Sequence, residues 1–316
     1  MEKEKKMRKF KISLLLLLVS IIIILMGLAT AQCKVPLESV FFSTEEEFVT
    51  QGPKPIDGNP IISDGDLLNA AGYVYMRNYD LLDVFNVKFD LGLDAVDVID
   101  IGQRFVAFST ELDHSEGWFT AGDLLATNGA ILPNSSLLIA FNINRELVDL
   151  GLDALQFTGE REDIIKFLDL VKEEGRDYWL KNPGALIKYL EGLRIDIWFS
   201  TEDKAPWPNE PRFLDGDLLS AATGTIVAAN SDLLPPTVPT GTPSREVDFG
   251  LDAVALYKEP ISIFSTEILY EDGLSFTDGD VLLQGDGVEL KNKDLINAFG
   301  PQVKELGLDA LSLYFY

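Results

Sequence analysis

The chain has 316 residues, 51 Asp and Glu against 26 Lys and Arg, a formal charge of −25, one His and one Cys. A single Cys excludes an intramolecular disulfide framework and cysteine-rich metal clusters, and a single His excludes two-His zinc sites. The acidic balance argues against nucleic acid, whose phosphates call for clustered Lys and Arg, and 47% hydrophobic residues can fill a sizeable core.

Residues 1–31 read as an export segment. Lys3, Lys5, Lys6, Arg8, Lys9 and Lys11 precede an apolar run from Ile12 to about Leu28, and Ala29-Thr30-Ala31 has the small-x-small form of a cleavage site. Two readings stay open: a cleaved signal peptide, or an uncleaved N-terminal anchor, since the run is long for a signal. Cys33 follows Gln32, which does not suit lipoprotein processing, so it reads as an ordinary unpaired thiol. No second apolar run is long enough to span a membrane, so contact with a bilayer is expected only through this segment. The expected location is secreted or cell surface.

Four tandem repeats follow. Phe-Ser-Thr-Glu recurs at Phe42–Glu45, Phe108–Glu111, Phe199–Glu202 and Phe264–Glu267. Gly-Asp-Leu/Val-Leu recurs at Gly65–Leu68, Gly122–Leu125, Gly216–Leu219 and Gly279–Leu282. An Asn-x-Asp/Ser block starts at Asn78, Asn134, Asn230 and Asn292, and Gly-Leu-Asp-Ala starts at Gly92, Gly151, Gly250 and Gly307. Phe42 and Phe199 are 157 residues apart and Phe108 and Phe264 are 156 apart, so a pair of repeats was itself duplicated. The division is 34–158 for repeats 1 and 2, 159–195 for an insertion, and 196–316 for repeats 3 and 4. In the insertion, Glu160–Glu174 has helical apolar spacing and stops at Gly175, and a second helix is expected over Pro183–Glu191. The two make a helical hairpin with a bracing role.

The repeats themselves read as all-β. Strands are expected at Val40–Thr44, Phe105–Thr110, Ile195–Thr201 and Ile261–Thr266, and at Asp94–Ile99, Asp153–Phe157, Asp252–Tyr257 and Asp309–Phe315. Two further short strands in each repeat are expected to end at the Gly-Asp and Asn blocks. The last strand of one repeat runs into the first of the next, which leaves a spare C-terminal strand to pair with Val40–Thr44. The expected fold is a four-bladed β-propeller closed by that strand, which would hide sheet edges. The alternative is two β-sandwich domains.

Asp94-Ala95, Asp153-Ala154, Asp252-Ala253 and Asp309-Ala310 each open a strand, and in this the repeats resemble hemopexin-type propellers. The resemblance covers these blocks alone; that family's later aromatic motifs and closing disulfide are missing. It implies that the Asp-Ala strands line a central channel where ions are held. The whole repeat also resembles tandem-repeat proteins secreted by microbes, which implies no particular activity.

The recurring carboxylates have three readings. As turn residues, they accept backbone amide hydrogens. As ligands, Asp66, Asp80, Asp94, Asp153, Asp217, Asp232, Asp252, Asp280, Asp294 and Asp309 supply the oxygens that Ca2+ prefers. As a catalytic pair, two of them would hydrolyse a glycoside. The turn reading ranks first and catalysis last. Repeat 2 is an internal control, with Ala121 and Ser136 where the others have Asp. His114 reads as a solvated loop residue. Trp118, Phe119, Trp207 and Tyr270 follow the Phe-Ser-Thr-Glu blocks and are candidate recognition aromatics. The expected function is an exported acidic β-repeat protein, non-enzymatic, with Ca2+ as its candidate brace, that binds protein or carbohydrate at the cell surface or builds that surface. The alternative is a secreted glycosidase-like hydrolase using a carboxylate pair.

Overall fold

The computed structural model describes residues 35–143, 149–205, 212–240, 248–258 and 260–315. The export segment, Cys33 and Trp207 lie outside them. Alternating β-branched and aromatic runs form short strands in chain order. The first repeat contains β1 (Val40–Phe42), β2 (Phe48–Val49), β3 (Ile61–Ile62), β4 (Leu67–Asn69) and β5 (Tyr73–Met76). Next come β6 (Val96–Asp100), β7 (Phe105–Phe108), β8 (Leu124–Ala126), β9 (Ile131–Leu132) and β10 (Leu155–Thr158). The second half has β11 (Asp196–Phe199), β12 (Leu218–Ser220), β13 (Thr225–Ala228), β14 (Ala253–Lys258), β15 (Ile261–Ser265), β16 (Val281–Leu283), β17 (Gly287–Leu290) and β18 (Leu311–Leu313).

These strands build four antiparallel four-stranded sheets, with β2 and β3 as a small separate hairpin. Sheet I has the order β18-β1-β4-β5, sheet II β6-β7-β8-β9, sheet III β10-β11-β12-β13 and sheet IV β14-β15-β16-β17. The spare C-terminal strand pairs with the first: Val40 faces Leu313 and Phe42 faces Leu311. Among the described residues no helix is long and apolar enough to cross a membrane.

Several sequence expectations need correction. The Gly-Asp block opens the third strand of a sheet instead of ending one, because its Asp is used to fix the turn before it. The Asn block forms a short helical turn in every repeat, at Asn78–Leu81, Asn134–Leu137, Asn230–Leu233 and Asn292–Ile296. The insertion has three helices, Arg161–Glu174, Arg176–Lys181 and Ala185–Leu193. The middle one is held by the buried Trp179, whose indole N–H donates to the Val171 carbonyl at 3.3 Å. The last helix runs two residues past the expected Glu191 and is capped by Arg194 in the left-handed conformation. The insertion connects β10 to β11, which pair within sheet III, so the 158/196 boundary falls inside a sheet.

The same joints recur between neighbouring sheets. The Ser of each Phe-Ser-Thr-Glu block lies against the Leu carbonyl of the next Gly-Leu-Asp-Ala block. Ser43 donates to Leu93 at 3.0 Å, Ser109 to Leu152 at 2.7 Å and Ser200 to Leu251 at 2.7 Å, while Ser265, 3.5 Å from the Leu308 carbonyl, has Asp252 as its nearer acceptor at 3.0 Å. These bonds lead from sheet I to II, II to III, III to IV, and back to I. Phenylalanines fill the same clefts. Phe85 packs edge-on against Phe108 and Phe119, Phe141 against Phe199 and Phe213, and Phe299 against Phe42 and Phe48. Between sheets III and IV, Leu233, Leu234 and Phe249 pack with Phe264 and Phe276. Each Phe burial removes an apolar side chain from water at a gain of about 1.5–3 kcal/mol.

Each serine joint leaves a buried carbonyl without a donor if the hydroxyl is removed. We therefore expect Ser43→Ala, Ser109→Ala and Ser200→Ala each to cost about 1–3 kcal/mol in urea unfolding. Destabilisation confined to one of the three would contradict the equivalence of the joints.

Candidate functional site

The repeated carboxylates divide into three groups once folded. Asp66, Asp123, Asp217 and Asp280 are buried turn residues. One oxygen of each accepts the backbone N–H of the repeat's Asn, at 3.0, 3.1, 3.0 and 2.9 Å. The other oxygen accepts from Ser63, Thr120, Leu214 and Thr277, three residues upstream. Cations add to three of them: Arg77 to Asp66, Arg176 to Asp123 and Lys291 to Asp280. The Asn side chains finish the joint; Asn78, for instance, donates to the Gly65 and Gly92 carbonyls and accepts from Leu91. Asp80, Asp232 and Asp294 form the second group, exposed in the helical turns. Asp80 lies 3.3 Å from Arg104, and Asp232 accepts the Ala229 N–H at 3.4 Å.

The third group is gathered together. Asp94, Asp153, Asp252 and Asp309 precede the first strand of sheets II, III, IV and I. Asp94 and Asp153 are only 9% and 5% exposed. One oxygen each of Asp94, Asp153 and Asp309 is buried without a hydrogen-bond partner, while Asp252 takes the Ser265 hydroxyl at 3.0 Å. Glu45, Glu111, Glu202 and Glu267, at the ends of the neighbouring strands, lie over the glycines of the same blocks. Gly92, Gly151 and Gly250 have φ of 75°, 77° and 68° and leave no room for a Cβ beneath Glu111, Glu202 and Glu267. Glu45 covers Gly307 in the same way.

Burial and mutual repulsion push these acids up together. Asp94 is raised well above the ordinary carboxylate range by burial and then by Glu202, Asp309, Glu111 and Glu267. Asp153 is raised by burial and then by Asp94, Asp252 and Glu267. For Asp252, burial and Glu45 outweigh the Ser265 hydrogen bond. Asp309 is pushed up to about 9 by burial, Asp252, Glu111 and Glu45. Glu267 rises to about 7 by burial, Asp215 and Glu202, against which Lys204 acts. The eight side chains therefore form one electrostatic unit. Among the described residues no three His, Cys, Asp or Glu side chains are arranged to hold a metal ion as they stand.

A further buried acid, Asp97, was not singled out by the sequence. Its Oδ2 accepts from the Phe157 N–H at 2.8 Å and the Gln156 amide at 3.1 Å, and its Oδ1 from the Ser312 hydroxyl at 3.2 Å. Gln156 in turn accepts the Leu256 N–H at 2.9 Å. This belt ties β18, β6, β10 and β14 together. Burial outweighs these hydrogen bonds and raises Asp97 to about 7. The signal was legible: three residues after each repeated Asp stand Asp97, Gln156, Ala255 and Ser312, a place where the repeats differ.

The aromatic candidates separate likewise. Trp118 is 48% exposed and stacks on His114 at 5.0 Å with an interplanar angle of 8°. His114 is not solvated as expected: it is buried, with Nδ1 accepting the Glu116 N–H at 3.0 Å. Phe119 is fully enclosed against Phe85 and His114 and offers no face to a ligand. Tyr270 is half-buried against Phe249 and Phe276. Leu112, Ile268 and Leu269 are exposed directly after Glu111 and Glu267.

Comparison with protein-family models, curated proteins and solved structures finds no match to this chain.

A carboxyl whose pKa is higher folded than unfolded favours folding while protonated. Its contribution is full below the unfolded value of about 4 and is lost as pH rises through the folded value. In chelator, the melting temperature should therefore fall from about pH 5 to about pH 9, through the ranges of Glu267 and Asp97 and then Asp309. Asp309→Asn should flatten the upper part of that fall. A melting temperature that holds level or climbs across this range would contradict the enclosed acid unit.

Proposed function

We propose that the chain is an exported, four-bladed β-propeller that acts as a non-enzymatic binding or structural module at the cell surface. Its channel carboxylates take a divalent cation such as Ca2+. The propeller reading is supported by four equivalent sheets, the β18–β1 pairing and the serine and phenylalanine joints that return from sheet IV to sheet I. The cation reading rests on one observation: buried, partnerless oxygens of Asp94, Asp153 and Asp309 within a set of mutually repelling acids. Such a set is relieved by protons at low pH and by a cation at high pH. Among the described residues no three ligands are preassembled, so the acids must adjust around the ion, and the flexible six-to-eight oxygen coordination of Ca2+ tolerates that better than the rigid octahedron of Mg2+. Asp66, Asp217 and Asp280 leave the proposed ligand set because backbone amides already occupy both of their oxygens. The exposed Asp80, Asp232 and Asp294 leave it because they lie apart on the helical turns.

Trp118, with Leu112 and Ile268 beside Glu111 and Glu267, gives the face around the Glu set both apolar and acidic character. That combination suits a protein or carbohydrate partner. The hydrolase reading gains no such support. Asp248 is raised to about 7 by burial and by Asp215, but these two carboxyls lie against each other. A glycosidase pair stands about 5 Å or more apart to admit the scissile bond.

Ca2+ bound only by the folded state should raise the melting temperature of the chain by several degrees at about pH 8 relative to chelator, and Mg2+ by less. Asp94→Asn with Asp153→Asn should remove that rise, and Asp232→Asn should leave it intact. No rise in the unsubstituted chain would overturn the cation reading.

A further inference from the structure

The fourth repeat carries a cavity of about 530 Å³ between its helical turn Asn292–Ile296 and the segment 300–305. Lys291, Lys293 and Lys304 line it together with the carboxylates of Asp280 and Glu305, and Ile296 and Val303 supply an apolar wall. In a chain of charge −25, three ammonium groups against two carboxylates leave this cavity locally positive. Lys291 is committed to Asp280 at 2.8 Å. Lys293 and Lys304 are exposed and, among the described residues, make no ion pair or side-chain hydrogen bond.

The other repeats are the comparison. At the places of Lys291 and Lys293 they have Arg77 and Tyr79, Pro133 and Ser135, and Ala229 and Ser231. At the place of Lys304 they have Phe89, Val148 and Val247. Lysine at all three is peculiar to repeat 4. Repeat 1 closes its own cation, Arg77, with an internal anion. The long loop after Glu45 folds over, and Asp57 pairs with Arg77 through Nε at 2.8 Å and the second guanidinium nitrogen at 3.0 Å, while the Asn59 and Ile61 carbonyls complete the enclosure. In repeat 4 the stretch from Glu267 to Asp280 is shorter than that from Glu45 to Asp66, and it supplies no carboxylate to Lys291 comparable to Asp57. The cavity is the open counterpart of a site that repeat 1 fills from its own chain.

We propose that this cavity binds a small organic ligand through a tetrahedral oxyanion, a phosphate or sulfate ester. Its oxygens are received by Lys293 and Lys304, and its apolar body lies against Ile296 and Val303. Arg77 in repeat 1 forks onto a planar carboxylate; Lys293 and Lys304 present separate point charges, which match oxygens spread over a tetrahedron. The volume is within the range of small-molecule sites, about 300–1,000 Å³. Because two of the ammonium groups are exposed, binding weakens as salt screens them.

The test is calorimetric titration of the full chain at low ionic strength with phenyl phosphate, phenyl sulfate, benzoate and phenol. Phenyl phosphate should bind, inorganic phosphate should compete, and Lys293→Gln with Lys304→Gln should weaken it at least tenfold without moving the melting temperature. Lys188→Gln, on the helical insertion, should change nothing. Comparable binding of phenyl sulfate assigns the site to either ester, and its failure beside bound phenyl phosphate assigns it to phosphate. Benzoate or phenol binding as tightly as phenyl phosphate would overturn the proposal. So would the absence of phenyl phosphate binding, or equal loss in the Lys188 variant.

Discussion

Four aspartates that repel one another are enclosed together, and much of the structure can be understood as what keeps them there. Asp94, Asp153, Asp252 and Asp309 each open the first strand of a different sheet. Bringing them together takes like charges out of water, which costs free energy unless they are neutralised or paired. Among the described residues, the largest influences on the four are burial and other carboxylates, and on their neighbour Glu267 the Lys204 ammonium works against the rise. The cost is met elsewhere, by the serine joints, the phenylalanine clefts and the pairing of β18 with β1. It is met where the repeats are most alike, which explains why the Phe-Ser-Thr-Glu and Gly-Leu-Asp-Ala blocks occur together four times.

Symmetry is broken at informative places. The belt of Asp97, Gln156 and Ser312 replaces four identical residues by a donor-acceptor sequence that a fourfold repeat could not make. The three helices enter between β10 and β11 and cover the cleft between sheets II and III with Phe167, Trp179, Leu186 and Leu190. Their Arg176 supplies Asp123 with the cation that Arg77 and Lys291 give to Asp66 and Asp280. Ala121 and Ser136, where the other repeats have Asp, therefore do not make repeat 2 a poorer turn: Asp123 and Asn134 keep the joint intact.

Much of this was legible in the sequence because it rests on period and order. The strand that closes sheet I, the hairpins between repeats and the amphipathic helix over Arg161–Glu174 all follow from spacing. The helical turns at the Asn blocks were not legible, since four residues are too few to show a helical period. Nor could spacing separate Asp66 from Asp94. Both recur four times, and only folding reveals that backbone amides surround one and that other carboxylates surround the other. Phe119 and Trp118 are adjacent aromatics in one loop, yet one is core and one is surface, a difference set by which side of the loop meets Phe85. The third helix was missed because Arg176–Lys181 has six residues and depends on one Trp for its place.

The most direct measurement is calorimetric titration of Ca2+ into the chain at about pH 8 in two buffers of different ionisation enthalpy. If a cation relieves the same repulsion that holds Asp309 near 9, binding must displace protons, and the apparent enthalpy will differ between the buffers in proportion to the number released. We expect saturable binding with proton release that diminishes in Asp309→Asn. Saturable binding without proton release, or no binding in either buffer, would contradict a cation seated among the enclosed aspartates.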